Sequence, residues 1–161
     1  MLKLIISLLI SGGFLMASPS KQLDDSWYSN MDKISLAEIR ARVLMTHSIN
    51  PLPYQLDSST YLTSVKMEPN NYTIELEYLL NEDELIAELN KRVLPHQTIS
   101  KLSPSFKKKL LPAIRHQLFK SLCQNPKTAY YIKRGISYKH TYFFNNQVFI
   151  MEHTVNKKTC E

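Results

Sequence analysis

Apolar residues recur at two periods along this chain, and the changes of period mark out its elements. Between residues 31 and 48, Ile34, Ala37, Ile39, Ala41, Val43 and Leu44 include pairs at three- and four-residue spacing, which predicts a helix. Ser35 followed three residues later by Glu38 offers a capping box for it. The prolines of "NPLP" end it, because the residue before a proline is pushed out of the helical region. Period two then takes over. Val65 and Met67 alternate with Ser64 and Lys66, and Ile74, Leu76 and Tyr78 alternate with Thr73, Glu75 and Glu77. Residues 60–68 and 72–80 therefore read as a hairpin, with "PNN" in its turn. Pairing Met67 with Tyr72 and Val65 with Ile74 puts both apolar sets on one face.

Helical spacing returns for three segments. Residues 81–94 have Asn81 as cap, an acidic first turn of Glu82, Asp83 and Glu84, and a stripe of Leu85, Ile86, Leu89 and Val93. A longer segment opens at Ser103-Pro104, with proline where a helix tolerates it. Phe106, Leu110, Leu111, Ile114, Leu118 and Leu122 form its apolar stripe, and Pro112 should kink or split it. Its other face carries Lys107, Lys108, Lys109, Arg115 and Lys120. A short helix starts at Asn125-Pro126 and ends at Gly135, a left-handed cap.

The chain closes on a second hairpin, 136–144 and 147–155, around Asn145-Asn146. A two-residue turn sets Tyr142 opposite Phe149, His140 opposite Met151 and Tyr138 opposite His153, all on one face. The other face then pairs Lys139 with Glu152. Phe143, Val148 and Ile150 fall on that second face and need either a covering layer or a partner.

The first residues, "MLKLIISLLISGGFLMAS", have the lysine, apolar run and small-residue exit of a secretory signal peptide cleaved near Ala17. The apolar stretch is shorter than the roughly 20 residues that span a bilayer. Residues 18–30 read as a loose polar leader, and 31–161 as one α+β domain with a real core. No cysteine lies near the exit, so nothing there supports a lipid anchor. The expected location is periplasmic or secreted.

Charge is divided unevenly. Residues 18–94 hold 7 basic and 12 acidic side chains, whereas 95–161 hold 12 basic and 2 acidic. The halves can neutralise each other, or the basic one can face an anionic partner.

For chemistry, the residues exclude more than they offer. Of three glycines, two lie in the signal segment, so no phosphate-cradling loop can be built and no nucleotide is expected. There is no CxxC, HExxH or nucleophile elbow. Cys123 and Cys160 are the two cysteines, and in an exported chain such a pair forms a disulfide; the alternative is a nucleophilic thiol with a histidine base. His140 and His153, placed diagonally across the second hairpin, are the candidate metal pair, with no third ligand evident. The acidic residues are explained by helix capping and a polar strand face, not by acid–base catalysis.

The order of motifs also carries a resemblance. "HSINPLPYQLDSSTYLTSVKMEPNNYTIELEYLL" has the form N-x-L-P, then D-x-x-T-x-L-x-x-V, then a tyrosine-bearing strand. "LFKSLCQNPKTAYYIKRGISYKHTYFFNNQVFIMEHTVNKKTC" has a helix-ending cysteine, N-P, a glycine, a Tyr-x-x-x-Tyr strand and a closing cysteine. Together they resemble the small exported bacterial proteins grouped as quorum-sensing-regulated virulence factors. The resemblance implies a periplasmic or secreted α+β domain without an established enzymatic activity, and it brings no catalytic residues.

The expectation is thus an α+β domain in which two antiparallel hairpins form a small sheet packed by four to five helices and stapled by one disulfide. Its expected role is that of a non-enzymatic envelope or virulence-associated protein without a cofactor. It would bind an envelope or host protein, or an anionic lipid surface, through Lys107, Lys108, Lys109, Arg115, Lys120 and Phe143. Two alternatives stand beside it: a small periplasmic metal-binding protein or enzyme using His140 and His153, and a pilotin-like secretion accessory.

Overall fold

The computed structural model describes residues 35–48, 51–67, 72–92 and 100–161. The signal segment and the leader lie outside the described residues. The helices are α1 (Leu36–Ser48), α2 (Glu82–Arg92), α3 (Pro104–Cys123), α4 (Pro126–Lys133) and α5 (Lys157–Cys160). The strands are β1 (Tyr54–Gln55), β2 (Thr60–Met67), β3 (Thr73–Leu80), β4 (Ser137–Phe144) and β5 (Phe149–Val155).

Local chemistry places the helix ends where the sequence puts them. The Glu38 amide donates to Ser35 Oγ at 3.2 Å, the Asp83 amide to Asn81 Oδ1 at 3.1 Å and the Phe106 amide to Ser103 Oγ at 3.1 Å. Each such cap supplies an acceptor to an amide the helix cannot satisfy, and contributes about 1 kcal/mol. Asn125 caps α4 in the same way, its side chain accepting from the Lys127 and Thr128 amides. At the other end of α4, Gly135 adopts φ 105°. The Ile136 amide donates to the Tyr131 carbonyl and the Gly135 amide to the Ile132 carbonyl, each at 3.0 Å. That is a Schellman motif, which retires two carbonyls and turns the chain from helix into β4.

α3 runs unbroken for 20 residues, so of the kink or split expected at Pro112 the split does not occur. The carbonyl that Pro112 leaves without a donor is that of Lys108, and both residues are exposed to solvent rather than buried.

The five strands form one sheet in the order β1-β2-β3-β4-β5. The two long hairpins are antiparallel, as expected, but they meet through a parallel β3–β4 pair, which makes the sheet mixed. Parallel neighbours cannot be joined by a tight turn. Here α2, α3 and α4 all lie in the crossover between them. The core follows from this arrangement. Both central strands alternate half-buried and buried residues along their whole length. Ile74, Leu76, Tyr78 and Leu80 of β3 and Tyr138, Tyr142 and Phe144 of β4 face the helices. Ile39, Leu89, Leu110, Ile114, Leu118 and Ile132 meet them from the helical side.

Over most of their length both hairpin registers differ by two residues from those the turns imply; in the first, a bulge between Leu62 and Ser64 reduces the difference to one for Thr60, Tyr61 and Leu62. Met67 pairs with Ile74 and Val65 with Leu76 in the first. In the second, Tyr138 pairs with Val155, His140 with His153 and Tyr142 with Met151. The second shift arises in two single steps. The loop has three residues, not two: the Gln147 amide donates to the Phe144 carbonyl, the Phe144 amide to the Val148 carbonyl, and Gln147 takes φ 61°. A bulge between Tyr142 and Phe143 adds the second step. One step alone would exchange the two faces of β5; two restore them beyond the bulge. Phe149 lies before the bulge, so it pairs with Phe143 instead of Tyr142 and leaves the core face.

Candidate functional site

Cys123 and Cys160 are joined, with Cα atoms 5.3 Å apart. Asn156 caps α5 through the Thr159 amide, and α5 turns the chain after β5 so that Cys160 reaches the end of α3. The bridge consumes both thiols of the chain, so the sulfur nucleophile considered from the sequence does not exist in this form.

The two histidines face each other directly across β4 and β5, not diagonally, because of the register shift. His140 is only 2% exposed. Its Nδ1 lies 3.1 Å from the Tyr78 hydroxyl, and its ring stacks between Tyr78 and Tyr138. His153 is half-buried, and burial first and the charge of Arg115 second hold its pKa below the ordinary histidine value. Among the described residues, no three of His, Cys, Asp or Glu gather as metal ligands. Burial drives the Tyr78, Tyr138 and Tyr142 hydroxyls far above the ordinary tyrosine pKa, which keeps them neutral. What this cluster does chemically is hold an aromatic stack in register through a buried hydrogen bond.

The sheet face turned away from the core has two parts. One is a charged ladder. Lys139 Nζ lies 3.1 Å from Glu152 on one neighbouring strand and 3.6 Å from Glu75 on the other. The hydrogen bond to Glu152, then the Glu152 charge, then that of Glu75 raise the Lys139 pKa. Lys66 continues the ladder toward Glu77 at 3.9 Å. The sequence expectation that Lys139 sits opposite Glu152 is corrected: Thr154 is its cross-strand partner, and the ion pair forms on the diagonal.

The other part is apolar. Tyr61 pairs with Leu79, Leu79 with Phe143, and Phe143 with Phe149, so four strands contribute one row across the sheet. The Phe143 and Phe149 rings meet edge to face with centroids 6.0 Å apart. Phe149 is 57% exposed, with Val148 beside it at 52%. The Tyr61 hydroxyl donates to Glu84 of α2 at 3.1 Å, which anchors the far end of the row. Phe143 was legible as an uncovered aromatic; Tyr61, Leu79 and Phe149 were not. Their alignment depends on the parallel junction and on the three-residue loop, and neither has a local sequence signal.

The basic residues sit elsewhere. Lys108, Lys109, Arg115 and Lys120 are exposed along α3, on the helical side of the sheet, and the side chain of Lys107 lies outside the described residues. The structure does not bring these cations together with Phe143: they belong to the helical layer, and it belongs to the open sheet face.

No family model matches the sequence, and neither does any curated protein. Solved structures do match the fold. A candidate secreted protein from Pseudomonas aeruginosa superposes with a TM-score of 0.54 at 12% identity, covering 78% of this chain and 93% of that one. The pilotin EpsS of the Vibrio vulnificus type 2 secretion system superposes with a TM-score of 0.53 at 13% identity, covering 78% of this chain and 92% of that one. At such identities the likeness is one of fold.

Proposed function

We propose that this protein is an exported, non-enzymatic accessory of the bacterial envelope with a pilotin-like role. It holds a protein component of a secretion apparatus on the open face of its sheet. The observation that carries this reading is the row Tyr61, Leu79, Phe143 and Phe149, an apolar strip on a face that is otherwise a solvated charge ladder. Exposed apolar surface bordered by polar groups fits a protein partner. Three further features support it. The fold is shared over nearly the whole length of a pilotin and of a candidate secreted protein. A disulfide suits an oxidising compartment. The first 17 residues read as a signal for export, and the resemblance to quorum-sensing-regulated virulence factors points to the same compartment.

The test is site-specific photocrosslinking in a bacterium that carries the gene. A photoreactive residue at Phe149 should capture a component of the secretion apparatus, and Phe143→Asp should abolish the adduct. Deleting the gene should lower secretion by that apparatus. Unchanged secretion, together with no adduct to any envelope protein, sinks the proposal.

A further inference from the structure

α3 has no acidic residue in its 20 positions. Its solvent stripe, at three- and four-residue spacing, runs Lys108, Pro112, Arg115 and Phe119, with Lys109, His116 and Lys120 alongside. Phe119, at the C-terminal end of this stripe, is 37% exposed. Lys108, Lys109, Arg115 and Lys120 make no ion pair among the described residues. On the open sheet face, by contrast, Lys66 and Lys139 are each matched by a carboxylate. Among the described residues, then, Glu75, Glu77 and Glu152 pair with lysines on the sheet face, whereas Lys108, Lys109, Arg115 and Lys120 of α3 have no carboxylate in ion-pair contact.

We infer that the α3 stripe seats the protein on an anionic phospholipid surface. Charge complementarity identifies the occupant, and residue type narrows it. Lysine is depleted in protein–protein interfaces, whereas basic side chains near anionic headgroups gain about five-fold in partitioning each. Phe119, next to Arg115 and Lys120, adds one apolar ring that can enter the headgroup region. Lysine stems can also lie along the apolar strip while their ammonium groups reach outward. The inference goes beyond the proposed role, and needs no secretion apparatus to hold. If both stand, the sheet face meets a protein while the opposite layer rests on the membrane.

The experiment is co-sedimentation of the full purified chain with phosphatidylcholine vesicles, with and without phosphatidylglycerol. Binding is expected only with phosphatidylglycerol, and should weaken as salt rises. Lys109→Glu with Lys120→Glu should lower it at least about tenfold by the same per-cation gain. Lys66→Glu with Lys91→Glu, an equal change of net charge away from the stripe, should lower it less than about twofold. Replacing Lys108, Lys109 and Lys120 together by arginine should preserve it. Circular dichroism checks that each variant is folded. Equal binding to both vesicle types, or equal loss from the two glutamate pairs, overturns the inference. So does binding to heparin or DNA without binding to the anionic vesicles, which would assign the stripe to a soluble polyanion.

Discussion

His140 Nδ1 lies 3.1 Å from the hydroxyl of Tyr78, and the two rings stack with centroids 5.6 Å apart. The contact crosses the parallel junction of β3 and β4, where both residues are buried. Tyr78→Phe keeps the ring and removes the bond. It should cost about 1–3 kcal/mol, because a buried imidazole nitrogen loses its partner. Tyr142→Phe is the matched control. Its hydroxyl is buried and makes no hydrogen bond among the described residues, so its loss should be neutral or stabilising. Urea denaturation separates the two; equal losses would mean that only packing is at work.

Reduction of the Cys123–Cys160 bond should destabilise the domain without abolishing its sheet. The bridge spans 37 positions, and the chain-entropy account assigns about 3–4 kcal/mol to a loop of that size. Melting in the presence of a reductant should fall to the temperature of the Cys123→Ala, Cys160→Ala double variant, which should itself ignore the reductant. A wild-type melt indifferent to reduction would place the stability elsewhere.

Gly135→Ala isolates a backbone effect. A methyl group there has room, since the nearest atom is Leu36 Cδ2 at 3.9 Å. The cost comes from φ 105°, and should be about 1–2 kcal/mol by the penalty for side chains in left-handed conformations. Thermal melts of the alanine variant should show it, and Gly135→Asn should lose less.

The depressed pKa of His153 sets a sign for the pH dependence. Above the ordinary histidine value neither state binds the proton, and the neutral ring suits the fold. As pH falls through that value the unfolded chain takes up the proton first, so stability declines until the folded pKa is passed. Melting temperature should drop between about pH 7 and pH 5, and His153→Gln should flatten part of that drop. Arg115→Gln should flatten it less, because burial is the larger cause. Identical slopes in all three proteins would remove His153 from the account.

The parts of the fold legible in the sequence are those with local causes. Ser35, Asn81, Ser103, Asn125 and Gly135 act on amides and carbonyls a few residues away, so their capping roles could be read directly. Alternation along β3 and β4 named the core face for the same reason. Register was not local. Gln147 has no signature of a left-handed residue, and the bulge beside Phe143 answers to packing across the sheet. Leu79 could not be recognised as part of a surface row, because its neighbour Phe143 is 64 positions away and aligned with it only by the parallel pairing. The basic helix was legible as composition. Its lack of ion pairs among the described residues was not, because that depends on which groups the fold brings within reach.

The parallel β3–β4 pair also imposes a timetable. Synthesis runs from the N-terminus, so β2 and β3 can close as a hairpin while β4 is still unmade. Until then β3 presents a bare edge, able to pair with another chain. That edge is protected only when the crossover helices are complete and β4 arrives, and Lys139 then bridges the acids of its two neighbours. Truncations that stop before β4 should therefore aggregate rather than persist as a smaller domain, and the last sixth of the chain acts as the built-in chaperone of what precedes it.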